Sequence, residues 1–254
     1  MKKLSITAIL LTLSTAMVSG CANEVNETSA KTTNPPAVQS ASAAEPSPIK
    51  AENHGGTVLD VSSPNSTTVL VNKQYGLPES YEPTDLVEPD VPFTFKEKNE
   101  KRKMRKEAAG ALEALFEGAK KDGISLAGVS AYRSFATQKV LFNRYAQKDG
   151  MEKAKMYSAV PGYSEHETGL AIDVSGISGK CAAEDCFGGT KEADWLAKHA
   201  SEYGFIIRYP KGKESITGYQ YEPWHIRYVG TKAAKEISDK GLTLEEYASQ
   251  ASKM

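Results

Sequence analysis

Two short segments hold most of the residues in this chain that could do hydrolytic chemistry. Ser164-Glu165-His166-Glu167-Thr168-Gly169-Leu170-Ala171-Ile172-Asp173 supplies an imidazole and a carboxylate, and Glu222-Pro223-Trp224-His225 supplies a second imidazole and a spare carboxylate. A catalytic zinc site takes three protein ligands and keeps one position for water, whose pKa falls to about 7 on the metal. His166, Asp173 and His225 can be those ligands, and Glu222 the unligated base that takes the proton of water and passes it to a leaving amine. Of the four histidines, His54 lies in a polar tail and His199 in a helical pattern, so neither competes for the site. Taken singly, each ligand could be a solvated surface residue or a turn cap. The metal reading rests on both segments occurring together.

The elements that must position these residues can be read from periodicity. Ala108, Ala111, Leu112, Leu115, Phe116 and Ala119 recur at helical spacing before Gly123, which predicts a long helix over 97–121. A strand over 126–132 follows, and Ser134 is placed to cap a helix that stops near Gly150. Residues 169–174 read as a short buried strand, in which alternation puts Ala171 and Asp173 on one face. Trp195, Leu196, Ala200 and Tyr203 mark a helix ended by Gly204. Strands over 205–209 and 225–229 and a helix over 231–240 complete the pattern. Pro223 makes the approach to His225 non-helical. Strands interleaved with helices through long loops are compatible with α+β and with α/β.

The N-terminus begins Met1-Lys2-Lys3, continues in an apolar run from Leu4 to Val18 and reaches Ser19-Gly20-Cys21. That is the layout of a secretory signal, and the run is too short for a membrane span. Val18-Ser19-Gly20-Cys21 resembles a bacterial lipobox, which implies a lipoprotein signal over 1–20 and lipidation of Cys21. Residues 21–66 are rich in Ala, Ser, Thr, Asn, Pro and Glu, and read as the lipidated cysteine and a flexible tether. Residues 67–254 are long enough for one core and short for two. Cys181 and Cys186, in a Gly-rich loop with no further Cys or His nearby, read as a disulfide rather than a metal pair. A net charge of −1 argues against a nucleic-acid partner, and the basic run 96–106 reads as a solvated helix face.

The two segments closely resemble the S-x-H-x-x-G-x-A-x-D and E-x-W-H signatures of zinc D-alanyl-D-alanine carboxypeptidases of the VanY type, which belong with LdcB-like and lysostaphin-like peptidases and the hedgehog domain. Further matches are Val71-Asn72-Lys73, Leu77-Pro78, Tyr81-Glu82-Pro83-Thr84-Asp85-Leu86, Tyr132-Arg133-Ser134 and Gly204-Phe205-Ile206-Ile207-Arg208-Tyr209-Pro210. The resemblance spans residues 67–248 and implies an α+β fold, with a small antiparallel sheet that carries one Zn2+ and is flanked by helices. It implies that Arg133 binds the free carboxylate of the substrate, as a planar guanidinium does well, and that Gln138, Ser164 and Tyr209 line the pocket. Arg208 and Arg227 are read as structural. The expected reaction is removal of the terminal D-alanine from peptidoglycan stem pentapeptides by a membrane-anchored enzyme on the cell-wall side. An L,D-carboxypeptidase acting on tetrapeptides and a non-catalytic zinc-bearing wall-binding module are the alternatives. A serine mechanism is a poor competitor, because Ser249-Gln250-Ala251-Ser252-Lys253 lacks partner motifs.

Overall fold

The structure, a computed structural model, describes residues 60–251. The signal, Cys21 and the tether up to residue 59 lie outside the described residues. Residues 60–66, assigned to the tether by composition, are packed. Val61 is buried, the Asp60 carboxylate accepts from the Ser63 amide at 2.9 Å, and Leu70 N–H donates to Val61 C=O.

The chain runs through β1 (Leu86–Val87), β2 (Met104–Arg105), α1 (Lys106–Lys121), β3 (Leu126–Ser130), α2 (Phe135–Asp149) and α3 (Met151–Tyr157). It continues through β4 (Ala171–Gly176), α4 (Lys191–His199), β5 (Phe205–Tyr209), α5 (Glu214–Thr217), β6 (Glu222–Tyr228), α6 (Thr231–Lys240) and α7 (Leu244–Ala251). A four-stranded antiparallel sheet of order β3-β4-β6-β5 is the centre, and β1 and β2 form a separate pair. The α+β expectation holds. This topology puts β4 and β6, carriers of Asp173 and His225, side by side in the middle.

Alternation along the strands divides the sheet into two faces. Leu170, Ile172, Val174, Trp224, Ile226 and Tyr228 enter the larger core with the apolar stripe of α1, Ala108, Ala109, Leu112, Leu115, Phe116 and Ala119, and with Trp195 and Leu196 of α4. Asp173, His225 and Arg227 take the alternate positions and face the other way. A second core gathers Val61, Leu70 and Ile206 under α6 and α7 through Val229, Ala234, Ile237, Leu244 and Ala248.

Several boundaries depart from the periodicity. The predicted helix over 97–121 starts as an α-helix only at Lys106, because Glu100–Arg102 form a separate 3-10 turn capped by Asn99 and the backbone around it pairs with distant segments. Met104 and Arg105 pair with β1, Arg105 N–H donates to Gly169 C=O, and Lys101 and Lys103 C=O accept from Ala131 and Tyr132. The strand expected over 126–132 ends at Ser130 for the same reason. Helix α3 and helix α7, which takes in Ser249 and Gln250, are additional. The Ser134 cap is present, its hydroxyl accepting from Thr137 N–H, and α6 spans the predicted residues. Cys181 and Cys186 are joined as a disulfide.

Candidate metal centre

Antiparallel register sets Asp173 directly opposite His225, and Ser130 of β3 opposite Asp173. Directly opposed residues hold their Cβ atoms within roughly 4.5–5.5 Å, so the pair meets with no further device. His225 Nδ1 lies 2.9 Å from Asp173 Oδ1. His166 comes from a 3-10 turn over Glu165–Thr168 that ends at Gly169, with φ +68. A side chain there would be strained, and a Cβ would meet Leu86 Cδ2 at 2.9 Å. That turn swings His166 over the sheet until Nε2 is 3.4 Å from Asp173 Oδ2 and the two imidazoles meet edge to face at 5.0 Å.

One ligand atom from each of His166, Asp173 and His225 lies within 4.8 Å of the others, and all three residues are buried. A metal needs a free lone pair on each imidazole, and the second nitrogen of each ring is engaged elsewhere. His166 Nδ1 is 2.7 Å from Ala131 C=O, which has no proton to give, so Nδ1 carries the proton and Nε2 is left as the donor atom. On His225, Nε2 faces Glu165 Oε2 at 3.4 Å, leaving Nδ1 toward Asp173. Two imidazoles and a carboxylate with their remaining groups so held fit a zinc ion of the catalytic kind.

Electrostatics sharpen the contrast between the carboxylates. Against the cost of burial, the two histidines hold Asp173 well below the usual carboxylate range. Burial likewise disfavours the charge on Glu165, but Arg208 and Arg227 outweigh it and keep the group ionised. Glu222 has no such partner, and burial pushes it up to about 7, against the attraction of His225. Glu222 stands opposite Tyr209, while Ile226 stands opposite Ile207, so β6 carries extra residues over Pro223–His225. Such an irregularity breaks strict alternation, and Glu222, three residues from His225, feels the charges of His225 and Asp173.

Arg133 follows β3, its N–H donating to His166 C=O at 3.2 Å. Its guanidinium reaches only neutral acceptors: Gln138 Oε1 at 2.8 Å and Ser130 Oγ at 3.4 Å. Among the described residues no carboxylate lies in ion-pair range of it. Gln138 is fully buried and anchored through Nε2 to Ala159 C=O at 2.6 Å. Tyr209 stacks on His225 at 5.0 Å, and Ser164 is buried beside the turn. The cluster of His166, Asp173 and His225 thus has Tyr209 against it, with Arg133, Gln138 and Ser164 in the strand end, helix and turn beside it.

Sequence reasoning passed over Glu165 and Glu167, two buried acids inside the motif itself. Glu167 accepts from Gly162 N–H at 2.9 Å, which holds the loop before Ser164, and burial pushes its carboxyl up to about 7. The signal available was their place on either side of His166; nothing in their spacing marked them as buried.

A family model described as VanY, D-alanyl-D-alanine carboxypeptidase, matches residues 101–231. "Putative carboxypeptidase YodJ" of Bacillus subtilis (strain 168) is 54% identical over 194 residues, 76% of this chain and 71% of that protein. Among solved structures, that of the LdcB LD-carboxypeptidase is 56% identical with a TM-score of 0.70, covering 72% of this chain and 86% of its own. A mutant of the vancomycin-resistance D,D-pentapeptidase VanY from a VanB-type cassette, in complex with Zn(II), is 30% identical with a TM-score of 0.59, covering 71% of this chain and 98% of its own.

Proposed function

Because the chain belongs to the VanY family of D-alanyl-D-alanine carboxypeptidases, we propose that it is a zinc-dependent carboxypeptidase that removes the terminal D-alanine from peptidoglycan stem peptides. The observation that carries this reading is Arg133, a half-buried cation held by neutral groups beside the His-Asp-His cluster, so that its charge is available to a substrate carboxylate. His166, Asp173 and His225 would hold the zinc ion. When bound there, zinc supplies Lewis-acid polarisation of the scissile carbonyl and a water acidic enough to ionise near neutral pH.

The chain's own residues do the rest. Arg133 takes the terminal carboxylate in a bidentate grip, and Gln138, fixed from behind by Ala159, keeps the guanidinium plane in place. Seating the carboxylate there sets the last peptide bond over the cluster. Glu222, raised to about 7, accepts the proton of the attacking water and returns it to the departing D-alanine nitrogen. Burial keeps the Tyr209 phenol protonated, so it can donate to the oxyanion that develops on the scissile carbonyl. Ser164 lines the same pocket.

The family description supports a D,D reading, with pentapeptide as substrate. The likeness to LdcB, 56% identical against 30% for the VanY D,D-pentapeptidase, favours an L,D reading with tetrapeptide as substrate. We further propose that residues 1–20 are a lipoprotein signal and Cys21 the lipid-bearing residue, tethering the domain outside the membrane. The Cys181–Cys186 disulfide supports an oxidising compartment.

Mass spectrometry of the chain incubated with stem pentapeptide and stem tetrapeptide, with and without a chelator, tests the reading. Chelator-sensitive loss of one alanine from pentapeptide alone establishes the D,D enzyme, and loss from tetrapeptide the L,D enzyme. Cleavage of neither would leave a zinc-bearing binding module and overturn the proposal.

A further inference from the structure

Glu165 is an ionised carboxylate with no exposed side-chain surface, in contact with a candidate metal ligand. Its two oxygens are used unequally. Oε1 accepts from both Arg208 Nε and Arg227 Nη1 at 2.6 Å, whereas Oε2 faces His225 Nε2 at 3.4 Å. The arginines are in turn fixed. Arg208 donates to both oxygens of Glu245 on α7, at 2.7 and 2.9 Å, and Arg227 donates to Val69 and Thr67 C=O at 2.8 and 3.0 Å.

A purely structural account of this clasp falls short. Two carboxylates balance two guanidinium groups, and buried ion networks of that kind can commonly be replaced by apolar side chains at no cost in stability. An apolar replacement could not leave an acceptor at His225 Nε2. The two histidines also differ in what the backbone offers them. His166 sits beside the end of β3 and finds the free carbonyl of Ala131, but His225 lies mid-strand between β4 and β5, where backbone carbonyls serve the sheet. A side chain has to supply its partner.

We propose that Glu165 is the positioning residue of His225: it accepts the Nε2 proton, fixes ring and tautomer with Nδ1 toward Asp173 and His166, and is itself immobilised by Arg208 and Arg227. This deepens the metal reading above and rests on it. Carboxylates that hold the second nitrogen of a ligating imidazole contribute about 10- to 100-fold to metal affinity or activity.

The primary test is imidazole 15N NMR of the intact chain titrated with zinc. The expected result is that zinc shifts Nδ1 of His225 while Nε2 keeps a slowly exchanging proton, the reverse of His166, where Nε2 shifts. Zinc on His225 Nε2 would overturn the role of Glu165 and leave the metal site standing. No shift on either ring would sink both. Chelator competition adds a second readout: Glu165→Gln should lower zinc affinity about 10- to 100-fold, and Glu245→Gln, which loosens the same clasp without touching His225, should leave it little changed. Equal losses in the two variants would make Glu165 merely structural and overturn the proposal. The unmutated chain decides by NMR if Glu165→Gln prevents folding.

Discussion

Arg133 carries a charge that no carboxylate neutralises among the described residues, and Glu222 is a carboxylate that no cation neutralises well. The two imbalances complement the two ends of a C-terminal peptide bond. Arg133→Ala should raise KM about 10- to 100-fold for substrates with a free carboxylate, the equivalent of losing a charge-assisted hydrogen bond of about 1.5–3 kcal/mol. Amidated analogues should be indifferent to the change, and an equal effect on both would remove Arg133 from the carboxylate site. Glu222→Gln should lower kcat about 10²- to 10⁴-fold while zinc stoichiometry stays at the parent value; a rate near that of the parent would show that the base is elsewhere. The residue types and the order of both motifs made the His166, Asp173 and His225 cluster legible in the sequence. Glu165 was not legible, because a Glu beside a His reads as solvated until Arg208 and Arg227, from strands far along the chain, are seen to surround it.

At the level of elements, the segments that follow their own periodicity came through best. Helix α6 and strand β5 coincide with their predicted spans, and the Ser134 cap starts α2. The shifted boundaries at 97–105 and 131–132 share a cause: distant partners override local preference. Residues 97–105 have helical composition, yet Met104 is completely buried and its neighbours give their backbone groups to Gly169, Ala131 and Tyr132. Gly169 is the joint of this arrangement, since it ends the His166 turn, accepts from Arg105 and starts the run into β4. Gly169→Ala forces a Cβ onto φ +68 and against Leu86. It should cost about 1–3 kcal/mol in urea unfolding, with zinc affinity falling as His166 shifts; an unchanged midpoint would show that the turn tolerates a side chain.

Over the whole molecule, two cores share the central sheet, and the chain from Thr67 to Asn72 threads between them. Val69 and Val71 belong to the larger core and Leu70 to the smaller. A chain beginning at Asp60 keeps every residue of both cores and of the segment between them. One beginning at Gln74 loses three buried valines, the buried Leu70 and the carbonyl partners of both buried arginines, a deficit on the order of 5 kcal/mol or more, comparable with the whole stability of a domain. Equal melting temperatures for the two truncations would contradict that account.

The arginines grip this segment through the carbonyls of Thr67, Val69 and Val71, backbone acceptors that every residue type carries. A side-chain replacement leaves these acceptors in the chain, whereas inserting or deleting one residue shifts them relative to both guanidinium groups. This stretch of the family should therefore be held in length by the two arginines as well as in apolar character by the two cores.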